Sequence, residues 1–150
     1  MHKNDLEMVE SGIVPTKTRK YRPFLVRILS PLFLLFFRST ISDQKNNFEP
    51  FEPDIIIDEN DFDLGQYGFN ATVMHIPGHS DGSVGVLTES HSFFSGDIFV
   101  NFNDKPAFNS GMADKSFEDL DRSIGRVKGL NVQTVFPGHG DPFTRDELHM

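Results

Sequence analysis

Three short segments in the second half of the chain each combine a tight turn with a side chain that can bind a metal ion. They are His75-Ile76-Pro77-Gly78-His79, Ser95-Gly96-Asp97 and Pro137-Gly138-His139-Gly140. Each ends a run of residues typical of a β-strand, and strands of one sheet bring their ends to a common edge. Because zinc and similar metals bind imidazole and carboxylate groups, the three segments predict a metal site at the edge of a sheet.

Taken singly, each of these residues has an ordinary structural explanation. A histidine after a tight turn is often a surface residue, and Asp97 could simply bond to nearby backbone amides. Their combination favours a metal site, since a carboxylate can bridge two cations while each neutral imidazole binds one. Two cations together polarise a substrate oxygen and acidify a water molecule, which is the chemistry of hydrolysis.

The pattern of apolar residues predicts a mixture of strands and helices. Asn4-Asp5-Leu6-Glu7 resembles a capping box that begins a short helix ending at Gly12. The apolar spacing of residues 114–128 predicts an amphipathic helix that is capped at Asp114 and ends near Gly129. Strands are predicted over residues 55–57, 69–76, 83–88, 91–95 and 133–136, with a turn at Glu89-Ser90 between the third and the fourth.

The three metal-competent segments resemble the third, fourth and fifth motifs of the metallo-β-lactamase-fold metallohydrolases. Order and spacing agree, with eighteen residues from His79 to Asp97 and forty-two from Asp97 to His139. The resemblance covers about residues 54–143. It implies an α/β fold, the C-terminal portion of an αββα sandwich, with a mixed sheet and outer helices.

The resemblance also implies residue roles around two zinc ions. His79 is expected to bind the first ion, Asp97 to bridge both, and His139 to bind the second. His75, Ser80 and Ser83 are expected to support these ligands through hydrogen bonds. An equally good explanation of His75 is a half-buried strand residue.

One family motif, His-x-His-x-Asp-His, is absent. The histidines lie at positions 2, 75, 79, 91, 139 and 149, and no two of them are two positions apart. In the family that motif supplies four further ligands, so we expect the C-terminal part of a longer protein with an incomplete site, and no catalytic residue is assigned. Such a part is expected to expose an apolar sheet face and to bind a missing N-terminal half or itself.

Composition limits the partners of the chain. Its 150 residues include no cysteine, which fits a cytoplasmic protein and leaves only His, Asp and Glu as metal ligands. Residues 41–150 carry seven Lys/Arg against nineteen Asp/Glu, whereas residues 1–40 carry seven against three. The acidic body argues against nucleic-acid binding, so the expected partner is a small-molecule substrate.

Residues 24–37 are the most apolar stretch, and we weigh three interpretations of them: a membrane span, a signal peptide and a packed helix. They are shorter than the about 20 residues of a membrane span and contain Arg27 and Pro31. A signal peptide would need an N-terminal position and a small-residue cleavage site. The favoured interpretation is a helix packed on a core or lying over a substrate cleft. We therefore divide the chain into a helical or lid segment, 1–53, and a fold-bearing segment, 54–150.

These observations predict a zinc-dependent hydrolase of an ester, thioester or related bond that is inactive as this chain alone. The sequence after His79 is Ser80-Asp81-Gly82-Ser83, which differs from the pattern of hydroxyacylglutathione hydrolases. The acidic surface disfavours nucleases. The alternative is a non-catalytic module that binds a partner chain.

Overall fold

The computed structural model describes residues 1–13, 48–109 and 117–148. The apolar stretch 24–37 and the predicted lid lie outside the described residues, and so does Asp114, the predicted cap of the amphipathic helix. The division at residue 53 stays a prediction.

The described residues form one mixed sheet of seven strands. The order is β1-β2-β3-β4-β6-β7, and β5 pairs with the distal part of β4. All neighbouring pairs are antiparallel except β4 and β6, which are parallel. The bounds are Phe62–Asp63 (β1), Ala71–His75 (β2), Val84–Thr88 (β3), Ser92–Asn101 (β4), Pro106–Phe108 (β5), Thr134–His139 (β6) and Phe143–Thr144 (β7).

Most of the predicted strands are confirmed, with two informative differences in length. The fourth predicted strand ends at Ser95, yet β4 continues to Asn101, and β6 continues through Pro137 to His139. The predicted strand over residues 55–57 is reduced to a single bridge between Ile57 and His2. The turn at Glu89-Ser90 is confirmed.

A helix packs on one face of the sheet and closes the core. This helix, α2, spans Phe117–Lys128, following the short N-terminal helix α1 at Leu6–Ser11. Leu120 and Val127 are both buried and lie on one helical face, as the amphipathic pattern predicts. They join a cluster that includes Met74, Phe93 and Val135 from three strands. The apolar side of α2 thus covers the face of the sheet that carries Met74, Phe93 and Val135.

The N-terminal segment folds back onto the rest of the described chain. A turn of 3₁₀-helix at Lys3–Asp5 leads into α1, which ends at Gly12 in the left-handed conformation with φ 65°. The predicted capping box begins at Asn4, whereas the N-cap residue of α1 is Asp5, whose side chain makes no capping hydrogen bond. The Asn4 side chain donates to the carbonyl oxygen of Asp81 instead. Asp5 instead bonds to the loop that follows β2, described below.

No helix in residues 1–13, 48–109 or 117–148 is both long enough and apolar enough to cross a membrane.

Candidate metal centre

The three predicted ligands come together around the carboxylate of Asp97. Nε2 of His79 lies 3.3 Å from Oδ2 of Asp97, and Nε2 of His139 lies 3.5 Å from Oδ1. Each imidazole therefore faces a different carboxylate oxygen. The side chains are 20% exposed for His79, 35% for Asp97 and 61% for His139, so the cluster opens to solvent on the side of His139.

The local backbone differs from the predicted arrangement of three loops. His79 does lie in the loop after β2, but Asp97 lies inside β4 and His139 is the last residue of β6. The parallel pairing of β4 with β6 is irregular here: Phe94 pairs with Phe136 and Val100 with His139. Between these two pairs, inclusive, seven residues of β4 thus lie opposite four of β6, and Asp97 lies in this bulge.

Two glycines near the site lie where the backbone packs too closely for a side chain. A Cβ at Gly138 would lie 2.1 Å from Oδ1 of Asp97 and 3.0 Å from the carbonyl carbon of Gly96. A Cβ at Gly140 would lie 1.7 Å from the carbonyl oxygen of Asn101. Only glycine fits at these two positions, because any side chain would push Asp97 or β4 away.

The supporting residues predicted from the sequence lie around the loop of His79. Nε2 of His75 lies 2.7 Å from the carbonyl oxygen of Asp81, to which it donates as the Nε2–H tautomer. The backbone N–H of Ser80 donates to Oγ of Ser83 at 2.9 Å, and the two hydroxyls are 3.0 Å apart. His75 is also half-buried at the end of β2.

Several contacts of the site were not predicted. Nδ2 of Asn109 donates to the carbonyl oxygen of Asp97 at 3.0 Å, and Oγ of Ser123 donates to that of Pro77 at 2.6 Å. Arg126 donates to the carbonyl oxygen of His75 at 3.1 Å. Ser123 and Arg126 are three residues apart on α2, and this helical spacing is the one sequence signal that could have indicated that both contact the same segment. No sequence signal indicated the bond of Asn109.

The residues fit a pair of cations in donor type and spacing, but not in number. Two donors on one tetrahedral zinc ion, each about 2.0–2.1 Å from the metal, are about 3.3–3.4 Å apart. The two imidazole–carboxylate distances, 3.3 and 3.5 Å, are close to this value. In the described part of the chain, however, no group of three or more His, Asp or Glu side chains could hold an ion. Each cation would need ligands beyond the pair described.

The chain is similar in sequence to a known protein over about half of its length. No protein-family model matches the chain. The probable metallo-hydrolase YqjP of Bacillus subtilis strain 168 is 32% identical over 79 residues, a match that covers 49% of this chain and 25% of YqjP. The chain thus matches about a quarter of this curated relative.

Solved structures show the same fold. A metallo-β-lactamase superfamily protein from Sulfolobus tokodaii superposes with a TM-score of 0.54 at 18% identity, covering 83% of this chain and 48% of that protein. A metallo-β-lactamase family protein from Thermus thermophilus gives 0.55 at 17% identity, covering 96% and 47%. The chain spans about half the length of both structures. It therefore has the fold of the metallo-β-lactamase superfamily, over part of that fold.

Proposed function

We propose that this chain supplies His79, Asp97 and His139 as ligands of two zinc ions in a cytoplasmic hydrolase of a small ester, thioester or related substrate. The observation that carries the proposal is the placement of two imidazoles against separate oxygens of one carboxylate. When bound, such ions polarise the substrate oxygen and acidify a water molecule. The similarity to a probable metallo-hydrolase supports the hydrolytic class.

The chain's own residues hold and orient the ligands. Asp97 is fixed through its backbone by Asn109 and lies in the space that Gly138 leaves open. His79 is held by a loop whose hydroxyls bond to one another, and α2 bonds to the strand end before that loop. This support keeps the donor atoms in place before any cation arrives, which is the condition for tight binding.

The isolated chain is expected to bind zinc weakly and to have no hydrolase activity. Of the remaining described histidines, His2 is buried against His75, and Nε2 of His91 lies 3.5 Å from Asn131, so neither reaches the site. Metal affinity depends on a complete ligand set. Purified protein should therefore hold well under one zinc per chain after desalting. Two tightly held zinc ions per chain would contradict this part of the proposal.

Cobalt titration followed by visible absorption tests the ligand assignment. We expect His79→Asn, Asp97→Asn and His139→Asn each to abolish the cobalt-dependent absorption that the wild type develops at high metal concentration. The matched control is His91→Asn, because His91 has φ 59° and Asn tolerates that conformation better than most residues. The assignment is wrong if the control removes the signal as strongly as the three site variants.

A second candidate function is a non-catalytic module that binds a partner chain, either a missing N-terminal half or a second copy. It is favoured by the face of the sheet opposite to α2. Val73, Val86, Phe94 and Phe136 lie at successive paired positions across four strands. The rings of Phe94 and Phe136 stack with centroids 4.8 Å apart, although Phe94 is 46% exposed. Val73, Val86 and Phe136 are half-buried, and a partly exposed apolar row of this kind is typical of an interaction surface.

Sedimentation and light scattering distinguish the two candidates. If the second is right, the wild type associates in a concentration-dependent way or binds a separately produced N-terminal half. The variant Phe94→Glu should then be monomeric and should not bind. A wild type that stays monomeric and ignores the N-terminal half would reject the module, without affecting the cobalt experiment.

A further inference from the structure

The carboxylate of Asp5 bonds directly to the loop that carries His79. Oγ of Ser80 donates to Oδ2 of Asp5 at 3.0 Å, and the backbone N–H of Gly82 donates to Oδ1 at 3.1 Å. Both carboxylate oxygens are thus used on a loop that lies 75 to 77 residues further along the chain. Hydrogen bonds to an ionised carboxylate are among the stronger ones in proteins.

Packing reinforces these two hydrogen bonds. A Cβ at Gly82 would lie 2.3 Å from Cγ of Asp5. The backbone of the loop therefore rests on the carboxylate without an intervening side chain. Gly82 is buried, and a displacement of either group would disturb the other.

Neighbours of Asp5 contact the same region. Nδ2 of Asn4 donates to the carbonyl oxygen of Asp81 at 3.3 Å, the same oxygen that receives the His75 ring. The ring of His2 stacks on that of His75, with centroids 3.7 Å apart and planes at 8°. His2 is 1% exposed, and its Nδ1 accepts the backbone N–H of Asn4. His2, Asn4 and Asp5 thus contact both ends of the loop.

Bonds within the loop act together with the contacts from Asp5. The bonds within residues 76–83 include the Ser80–Ser83 pair and three backbone bonds. Asp5 supplies two further bonds from another part of the fold. Asp5 is the N-cap residue of α1, but its side chain makes no capping hydrogen bond there. The side chain is committed to the loop instead of to its own helix.

We propose that Asp5 is a positioning residue for His79, holding the loop of residues 79–82 so that the imidazole meets Asp97. It acts through Ser80 and Gly82 and touches neither His79 nor Asp97 in the contacts described. The metal part of this inference rests on the proposed function. The positioning part is a statement about the loop alone and can be tested without metal.

The metal-free test uses NMR of the full chain. In Asp5→Ala we expect the Gly82 amide to lose its protection from hydrogen exchange and the ring resonances of His79 to shift or broaden. The matched control is Asp63→Ala, because Oδ1 of Asp63 accepts the N–H of Gly65 at 2.8 Å in a turn away from the site. Unchanged Gly82 and His79 signals in folded Asp5→Ala would overturn the proposal, as would equal changes in the control.

Asp5→Asn decides the question if Asp5→Ala does not fold. Asn keeps the shape but loses the charge and one acceptor oxygen, so weaker Gly82 protection and shifted Ser80 and Gly82 amides are expected. Wild-type values for both would overturn the proposal. If both variants fold, a His79 ring shift that is smaller in Asp5→Asn than in Asp5→Ala would support the proposal, because Asn keeps one of the two acceptor oxygens.

Cobalt affinity separates the positioning role from the proposed function. Asp5→Ala is expected to weaken cobalt binding by about 10- to 100-fold, the range found for groups that orient metal ligands, with Asp5→Asn between it and the wild type. Asp63→Ala should bind as the wild type does. If the wild type itself binds no cobalt, the proposed function fails while the NMR experiment still decides the role of Asp5. If the NMR signals do not respond, the positioning role fails whatever cobalt does.

Discussion

The contact between Gly138 and Asp97 makes a sharp prediction about the substitution Gly138→Ala. The added Cβ would lie 2.1 Å from Oδ1 of Asp97, about 1 Å closer than an ordinary carbon–oxygen contact, and 3.1 Å from the carbonyl oxygen of Gly96. The carboxylate must rotate away or β4 and β6 must separate. Insertion of a methyl group into a tightly packed place of this kind costs about 1–3 kcal/mol.

For a chain of this length the cost corresponds to a fall of about 2–12 °C in the melting temperature. Thermal unfolding followed by far-ultraviolet circular dichroism measures it. The matched control is Gly125→Ala in α2, where an added Cβ meets nothing within 4 Å and should stabilise the helix by about 0.5–1 kcal/mol. A Gly138→Ala protein that melts at or above the wild-type temperature would refute the reasoning about this contact.

Two further predictions follow from the packing around the site. Leu120→Ala should lower the free energy of unfolding by about 2–5 kcal/mol, since Leu120 is 2% exposed and packs on Gly78; a loss below about 1 kcal/mol in urea titrations would contradict this. Burial, with the charge of His75 adding to it, lowers the pKa of His2 below its ordinary value of 6.5. The unfolded state therefore binds more protons, so that stability is complete above about pH 6.5 and falls as the pH drops below it. His2→Phe should flatten this dependence, and an unchanged slope would exclude His2 as its source.

The helices and strands whose apolar residues recur at a regular spacing could be predicted from the sequence. Leu120 and Val127 show the helical spacing of α2, and the alternation around Met74 and Phe93 shows their strands. These patterns work because one face of each element is buried in a common core. The three predicted ligands do come together, but Asp97 faces the two histidines from the bulge inside β4 and not from the end of a strand.

The contacts that hold the site together could not be predicted, because they join residues far apart in sequence. Asp5 stands where a helix cap is expected, and nothing nearby in the sequence indicates a partner at Ser80 or Gly82. Asn109, the residue that follows β5, similarly bonds to Asp97. Short polar side chains satisfy local or distant partners equally well, so that their sequence context alone does not select between them.

Asp97 lies within β4, yet its carboxylate faces the imidazoles of both His79 and His139. A residue at the centre of a regular strand would point its side chain perpendicular to the sheet, away from the edge where His79 and His139 lie. Gly96 adopts φ 53°, and the register between β4 and β6 shifts on both sides of it. The bulge changes the direction of the Asp97 side chain. Buried residues of β4 lie on both sides of the bulge and hold the strand in the core. The backbone of Asp97 is therefore held in a strand, while its side chain points toward the two histidines as that of a loop residue could. Gly138 has no side chain, and the carboxylate of Asp97 occupies the space that a Cβ would fill.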